Sequence, residues 1–132
     1  MNGDPRFLTV AEVVEIHERE IRAAGGANGI RDISGLESAI GAPQASFGGG
    51  RLMDIFGMAA TYVNSLAFNH PFVDGNKRTA LAAALTFLFL NGYEVEEDHD
   101  EELADKVLEL LAKTLSKDGF AEHFKVRAKS IL

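Results

Sequence analysis

The chain has 132 residues, of which 46% are hydrophobic and 25% charged, and these proportions are typical of a folded globular protein. It contains no cysteine, which excludes disulfides, thiolate catalysis and cysteine-based zinc sites. The longest apolar stretch, residues 79–90, is too short to span a membrane, and residues 1–20 do not have the pattern of a secretory leader. We therefore expect one domain over residues 1–132, in a cytoplasmic protein with no membrane partner.

The formal net charge of -7 is concentrated in one segment. Of the 20 acidic residues, those between Glu94 and Asp105 account for the whole excess, because the rest of the chain is nearly neutral. No basic stripe follows from the sequence, which argues against direct binding of nucleic acid. The acidic segment is typical of a solvated loop that leads into a helix, and an acidic docking surface is the alternative.

Apolar residues recur at helical spacing along most of the chain, and the alternation typical of exposed strands is missing. The pattern predicts an all-α fold of about six helices. The first helix is expected to begin at a capping box formed by Thr9 and Glu12 and to end at the glycine pair 25–26.

A second capping-box signature, Ser34 with Glu37, predicts a short helix that ends at Gly41. The consecutive glycines at residues 48–50 make a regular element costly there. On composition alone this stretch fits a simple linker and a mobile flap or hairpin tip equally well.

Four further helices are predicted, over residues 52–69, 75–91, 100–115 and 120–131. The body of the helix over 75–91, TALAAALTFLFL, is apolar on every side. Such a helix is typical of the centre of a bundle. The sequence therefore predicts a compact helical bundle around this buried central helix.

The motif HPFVDGNKRT, residues 70–79, lies where this central helix begins. Lys77 and Arg78 fall in the first turn, beside unpaired backbone N–H groups and the positive end of the helix dipole. Two cations there repel unless an anion lies among them, and a phosphate chain would satisfy both the side chains and the backbone donors. Gly75 would let the backbone approach a phosphate closely.

Three other residues of the motif allow more than one interpretation. Asp74 fits a Mg²⁺ ligand and a helix N-cap equally well. His70 could accept the proton of an attacking hydroxyl or could be structural. Asn76 either caps the turn or donates to a phosphate, and Phe72 is expected to anchor the loop in the core.

The remaining polar residues considered for a site are expected to be ordinary. The other histidines are spaced too irregularly for a metal cluster, and we expect them to have no special role: His17, His99 and His123. Thr79 is expected to be structural.

The motif HPFVDGNKRT resembles the central motif of the Fic/Doc family, above all that of its Doc (death on curing) branch. The resemblance extends to GGANGIRDISGLESAIGAPQ, to the glycine-containing flap after it and to FLFLNGYEV, and so covers the chain from about Leu8 to Leu115. It implies an all-helical Fic fold in which the motif loop and the following helix bind ATP and Mg²⁺. A β-hairpin flap before the third helix would position the target protein.

The motif departs from that of the family's AMP-transferring members, which resembles HPFxxGNGRxxR. Here Lys77 replaces the last glycine and Leu81 the final arginine. In the Doc branch this departure goes with ATP bound in the reversed sense, so that the γ-phosphate is transferred to a protein hydroxyl. The resemblance implies a threonine of elongation factor Tu as the target and arrested translation as the result.

The resemblance also implies a role for each matching position. His70 would be the general base, Asp74 would hold Mg²⁺, and Phe72 would anchor the loop. The phosphates would be held by four residues at the start of the helix: Gly75, Asn76, Lys77 and Arg78. The target would be positioned by the flap within residues 44–51: Phe47, Gly48, Gly49 and Gly50.

Some Fic proteins restrain themselves through an inhibitory [ST]xxxE[GN] helix, and this chain has no match to it. The resemblance therefore implies a separate Phd-like antitoxin whose disordered C-terminal segment folds on the toxin. Three functions stay open at this point. They are a Doc-type toxin kinase, a Fic-type protein AMP-transferase, and a non-catalytic member that binds a nucleotide or a partner.

Overall fold

The computed structural model of the chain describes residues 4–47 and 50–132. Within these residues the chain forms six α-helices, which span Val10–Ala24 (α1), Ile33–Gly41 (α2), Ile55–Asn69 (α3), Asn76–Leu90 (α4), Asp100–Leu111 (α5) and Lys117–Arg127 (α6). Four two-residue strands span Ser46–Phe47 (β1), Gly50–Arg51 (β2), Tyr93–Glu94 (β3) and Lys129–Ser130 (β4). The predicted all-α class is confirmed.

The strands form two small antiparallel pairs, β1 with β2 and β3 with β4. The first pair is the hairpin that was expected before the third helix. Gly48 and Gly49, which follow β1 in the sequence, lie outside the described residues.

Helix α1 begins and ends as predicted. The Thr9 side chain accepts a hydrogen bond from the backbone N–H of Glu12, and the Glu12 carboxylate accepts one from the backbone N–H of Thr9. These two bonds satisfy donors that the first turn of a helix leaves free. Gly25, with a φ of 86°, ends the helix in a conformation that side chains disfavour.

The predicted start of α2 is wrong. The N-cap is Asp32, whose carboxylate accepts a hydrogen bond from the backbone N–H of Gly35, and Ser34 lies inside the first turn. The backbone N–H of Asp32 donates to the carbonyl of Pro71 at 3.0 Å. This distant contact holds Asp32 in extended conformation, so the helix can begin only after it. The predicted end at Gly41 is confirmed.

Three later helices also have boundaries that differ from the prediction. Helix α3 starts at Ile55 because Asp54 caps it through the backbone N–H of Gly57. Helix α5 ends at Leu111, four residues early, and a left-handed residue, Lys113 with a φ of 63°, soon follows. Helix α6 starts at Lys117 and ends at Arg127, since the residues after it form β4.

The acidic residues between Glu94 and Asp105 are exposed to solvent, as expected. The segment forms an exposed 3₁₀ turn, Glu97–His99, and then the first turn of α5, which contains three acidic residues. Carboxylates in a first turn are favoured by the helix dipole. Two further contacts tie the segment to the end of the chain, because Glu96 pairs with Lys129 and Glu102 with Arg127.

The core surrounds α3 and α4. Helix α4 packs against α1, α3 and α5, and its most buried apolar residues are Ala80, Ala83, Ala84, Phe87 and Leu88. The prediction of a central fourth helix is confirmed, but the expectation that it is buried on every side fails at its end. Phe89 and Leu90 there are exposed. Among the described helices, none has the length and apolar character needed to cross a membrane.

Candidate functional site

The predicted site lies in the loop that joins α3 to α4, residues 70–75. Both ends of this loop have left-handed backbone conformations, His70 with a φ of 50° and Gly75 with a φ of 76°. A left-handed residue at the end of a helix is a common C-cap, but a residue other than glycine is strained there. The loop therefore needs support from its surroundings.

That support comes from the segment after α1. Its backbone runs antiparallel to the loop: the N–H of Val73 donates to the carbonyl of Gly29, and the N–H of Arg31 donates to that of Pro71. Ile30 and Phe72 form an isolated antiparallel bridge between these bonds. Nothing in the residues alone predicted this pairing, although the segment was among those that resemble the family.

Arg31 is a site residue that the sequence did not predict. Its guanidinium donates to the carbonyl of His70 through Nε, at 2.9 Å, and through Nη2. The same Nη2 donates to the carbonyl of Asn69 at 3.2 Å. Arg31 therefore satisfies the backbone carbonyls of Asn69 and His70 at the end of α3 and fixes the backbone of His70.

The ring of Phe72 holds the middle of the loop in the core. Only 1% of the residue is exposed, and its ring stacks on that of His17, with ring centroids 3.9 Å apart. This placement agrees with the predicted anchoring role. His17 is buried and bonds to the loop, a contact that the sequence did not predict.

The side chain of Asn76 closes the loop. Its Oδ1 accepts a hydrogen bond from the backbone N–H of Phe72, and its Nδ2 donates to the carbonyl of the same residue, both at 2.9 Å. Of the two roles considered for this amide, the geometry favours the cap. A contact of Asn76 with phosphate remains a prediction for its backbone N–H, which lies in the first turn of α4.

Asp74 is exposed and is not the N-cap of α4, because Gly75 occupies that position without a side-chain hydrogen bond. The Oδ2 atom of Asp74 accepts a hydrogen bond from the backbone N–H of Ala27 at 2.9 Å. Within the described part of the chain, Oδ1 accepts none. One carboxylate oxygen is thus held in place while the other remains available to a cation.

The two cations of the first turn have different surroundings. Arg78 donates to the carbonyls of Gly25 and Glu20, at 3.0 and 3.4 Å, and these lie at the negative end of the α1 dipole. The expectation that both cations need an anion is therefore wrong for Arg78. Lys77 is exposed and forms no ion pair or hydrogen bond among the described residues, so an anion is still expected beside Lys77 and the first backbone N–H groups of α4.

The structure gives a reason for Gly75 that the sequence did not predict. A Cβ atom at this position would point toward α1. It would lie 3.1 Å from Cδ1 of Ile21 and 3.4 Å from Nη2 of Arg78. The positive φ adds strain for any other residue. Gly75 thus lets the loop pack closely on α1, and its contact with phosphate remains a prediction.

Six of the predicted site residues share one cavity of about 350 Å³. It is lined by His70, Asp74, Gly75, Asn76, Lys77 and Arg78, together with three apolar neighbours. A second, more apolar cavity of about 440 Å³ lies between α4 and α5 and shares Lys77 and Arg78 with the first. Neither ring nitrogen of His70 has a hydrogen-bond partner among the described residues, so both remain available for a hydrogen bond to a ligand.

The predicted flap is only partly described. Phe47 pairs with Gly50 and Ser46 with Arg51 across the β1–β2 hairpin. Gly48 and Gly49 lie outside the described residues, and the positioning of a target by the flap remains a prediction.

Comparison with known proteins identifies the family. A sequence model described as the Fic/DOC family matches residues 7–88, which include α1 to α3, the whole motif loop and α4 as far as Leu88. The chain is 35% identical over 117 residues to "Protein kinase doc" of Escherichia phage P1, covering 89% of this chain and 91% of that protein. It is 42% identical over 91 residues to "Toxin Doc" of Mycolicibacterium smegmatis, covering 68% and 70% of the two chains. Together with the loop geometry, these matches show that the chain belongs to the Fic/DOC family, in its Doc branch.

Proposed function

We propose that this protein is a Doc-like toxin that transfers the γ-phosphate of ATP to a serine or threonine hydroxyl of a target protein. Two similar proteins, one named as a kinase and the other as a toxin, support the assignment to Doc-like toxins. The observation that carries the proposal is the cavity shared by His70, Asp74 and Lys77, which combines a free imidazole, a free carboxylate oxygen and an unpaired cation.

The residues present fit magnesium and a nucleotide. Asp74 offers one oxygen to a hard cation, and its other oxygen is already fixed by Ala27. Lys77 and the first backbone N–H groups of α4 offer positive charge to an anion at the helix start. Bound magnesium–ATP would supply the phosphoryl group and additional charge compensation.

Each side chain then has a defined role in the transfer. His70 accepts the proton of the target hydroxyl while the hydroxyl oxygen bonds to the γ-phosphorus. The bond from the γ-phosphorus to the β–γ bridging oxygen breaks, and ADP leaves. Lys77 and the Gly75 and Asn76 N–H groups stabilise the charge on the phosphoryl oxygens. Arg78 adds positive charge while α1 holds its guanidinium in place.

The type of transfer depends on two positions. Lys77 occupies the space that a glycine leaves open in AMP-transferring relatives, and its side chain is exposed at the cavity. Leu81 is only 9% exposed and lines the apolar cavity, so the helix presents no second cation there. These features support phosphate transfer over AMP transfer.

A toxin of this type needs an antitoxin, and we include a Phd-like protein as the partner. Asp100 and Asp105 of the acidic segment line the second cavity, next to Lys77. A helical segment bound there would lie against the site and hinder access to it.

The direct test is the intact mass of elongation factor Tu after incubation with this protein, ATP and Mg²⁺. We expect a gain of one phosphate, its absence with His70→Ala, and its persistence with His123→Ala, a matched change on α6. A gain of one AMP would instead support the adenylyltransferase alternative. If the factor is unchanged, labelled ATP in a lysate extends the test to other targets, and no labelled protein at all would contradict the proposal.

A further inference from the structure

His17 lies under the motif loop although it belongs to another helix. It is on the buried side of α1, with 1% of the residue exposed. Its ring is nearly parallel to that of Phe72, at an angle of 6°, and its Nε2 atom lies 2.8 Å from the carbonyl oxygen of Asp74. One imidazole thus contacts both the anchor of the loop and the residue proposed to hold the metal.

The direction of this hydrogen bond follows from the chemistry of its partners. A carbonyl oxygen can only accept, so Nε2 of His17 must carry the hydrogen. The bond turns the Asp74 carbonyl toward α1. Because C=O and N–H point in opposite directions across a planar trans peptide, the N–H of Gly75 is turned away from α1.

We propose that His17 is a positioning residue that sets the orientation of the Asp74–Gly75 peptide, so that the Gly75 N–H is presented to the phosphates. This inference rests on the proposed phosphate transfer. His17 itself is buried behind the loop and lines neither cavity at Lys77, so it acts through the backbone it holds.

Two substitutions separate this role from simple packing. His17→Phe keeps a ring that can stack on Phe72 but removes the donor. His17→Gln removes the ring but keeps an amide N–H at about the reach of Nε2. We expect His17→Phe to lower kcat about tenfold to a hundredfold, as loss of a supporting hydrogen bond commonly does, while His17→Gln stays within a few-fold of the wild type. A packing role predicts the opposite order, and that order would overturn the proposal.

A measurement on the unmodified protein avoids the risk that either variant fails to fold. The ¹⁵N shifts of the His17 imidazole report which nitrogen carries the hydrogen. We expect the Nε2–H tautomer, and an Nδ1–H tautomer would overturn the proposal.

A second measurement separates this inference from the proposed function. On addition of ATP and Mg²⁺, we expect the Gly75 amide resonance to shift in the wild type and in His17→Gln. If it shifts while no target is phosphorylated, the proposed transfer fails and the positioning role stands. If the wild type transfers phosphate but the Gly75 amide does not respond, the positioning role fails alone.

Discussion

At the scale of single residues, the site depends on side chains that hold the backbone of the motif. His70 has a left-handed backbone, which costs a residue other than glycine about 1–2 kcal/mol. Arg31 offsets this cost with two hydrogen bonds to the His70 carbonyl. The direction of the His70 side chain is therefore coupled to a residue 39 positions earlier in the chain.

We expect Arg31→Ala to lower the rate of transfer about tenfold, because His70 loses its fixed geometry. The free energy of unfolding should fall by only about 0.5–1.5 kcal/mol, since the lost hydrogen bonds are exposed. Arg31→Lys should restore part of the rate, because lysine keeps the charge but lacks the planar fork. Arg19→Ala, at an exposed position of α1, is the matched control. An unchanged rate in Arg31→Ala would show that the hydrogen bonds from Arg31 to the His70 carbonyl do not affect transfer.

Thr79 carries a second prediction at this scale. Its hydroxyl oxygen is buried and has no hydrogen-bond partner among the described residues. A buried polar group without a partner is destabilising, so Thr79→Val should raise the free energy of unfolding by about 1 kcal/mol. Denaturant unfolding measures this change, and a decrease would indicate a partner such as an ordered water.

At the scale of elements, the start of α1 combines a cap with an ion pair. The hydrogen bond from Arg6, followed by that from the backbone of Thr9, holds the pKa of Glu12 below its ordinary value of 4.5. A carboxyl group whose pKa is lower in the folded state stabilises that state at any pH above its unfolded-state pKa. This contribution disappears as the pH falls through the folded-state pKa.

We therefore expect Glu12→Gln to lower the free energy of unfolding by up to about 1 kcal/mol at neutral pH. The difference from the wild type should shrink as the pH falls from 4.5 through the lower pKa of the folded state, below which the wild-type carboxyl is protonated in both states. Thermal unfolding across this range measures the effect, with Glu18→Gln on the same helix as control. A difference that persists at low pH would mean that the charge of Glu12 is unimportant.

The elements also show what local sequence can and cannot predict. The start of α1 was predictable because Thr9 and Glu12 lie within one turn. The start of α2 was not, since Asp32 is held by Pro71, and the end of α6 was not, because residues 129–130 pair with β3. Such contacts join residues far apart in the chain, and periodicity carries no information about them.

The residues of the candidate site also divide into those that local sequence could predict and those that it could not. His70, Asp74 and Lys77 were predictable because they are contiguous and chemically distinctive. His17 and Arg31 were not, because each reaches the loop from another part of the chain. A histidine on the apolar face of α1, beside Val13 and Ile16, was the available signal for a buried polar contact.

At the scale of the whole molecule, stability depends on the packing of α4 in the centre. Phe87 is fully buried, with its ring near those of Phe7 and Tyr62, while Phe89 two residues later is 56% exposed. We expect Phe87→Ala to cost about 3–5 kcal/mol and Phe89→Ala less than about 1 kcal/mol. Denaturant unfolding of the two variants tests this, and equal losses would contradict the placement of α4.

The molecule as a whole is proposed to transfer the γ-phosphate of ATP and not its AMP group. The most direct measurement incubates the protein and Mg²⁺ in a lysate with ATP labelled either at the γ-phosphate or at the α-phosphate, with His70→Ala alongside. We expect protein-bound label from γ-labelled ATP only, and none with His70→Ala. Label from α-labelled ATP would show nucleotide transfer and contradict the account.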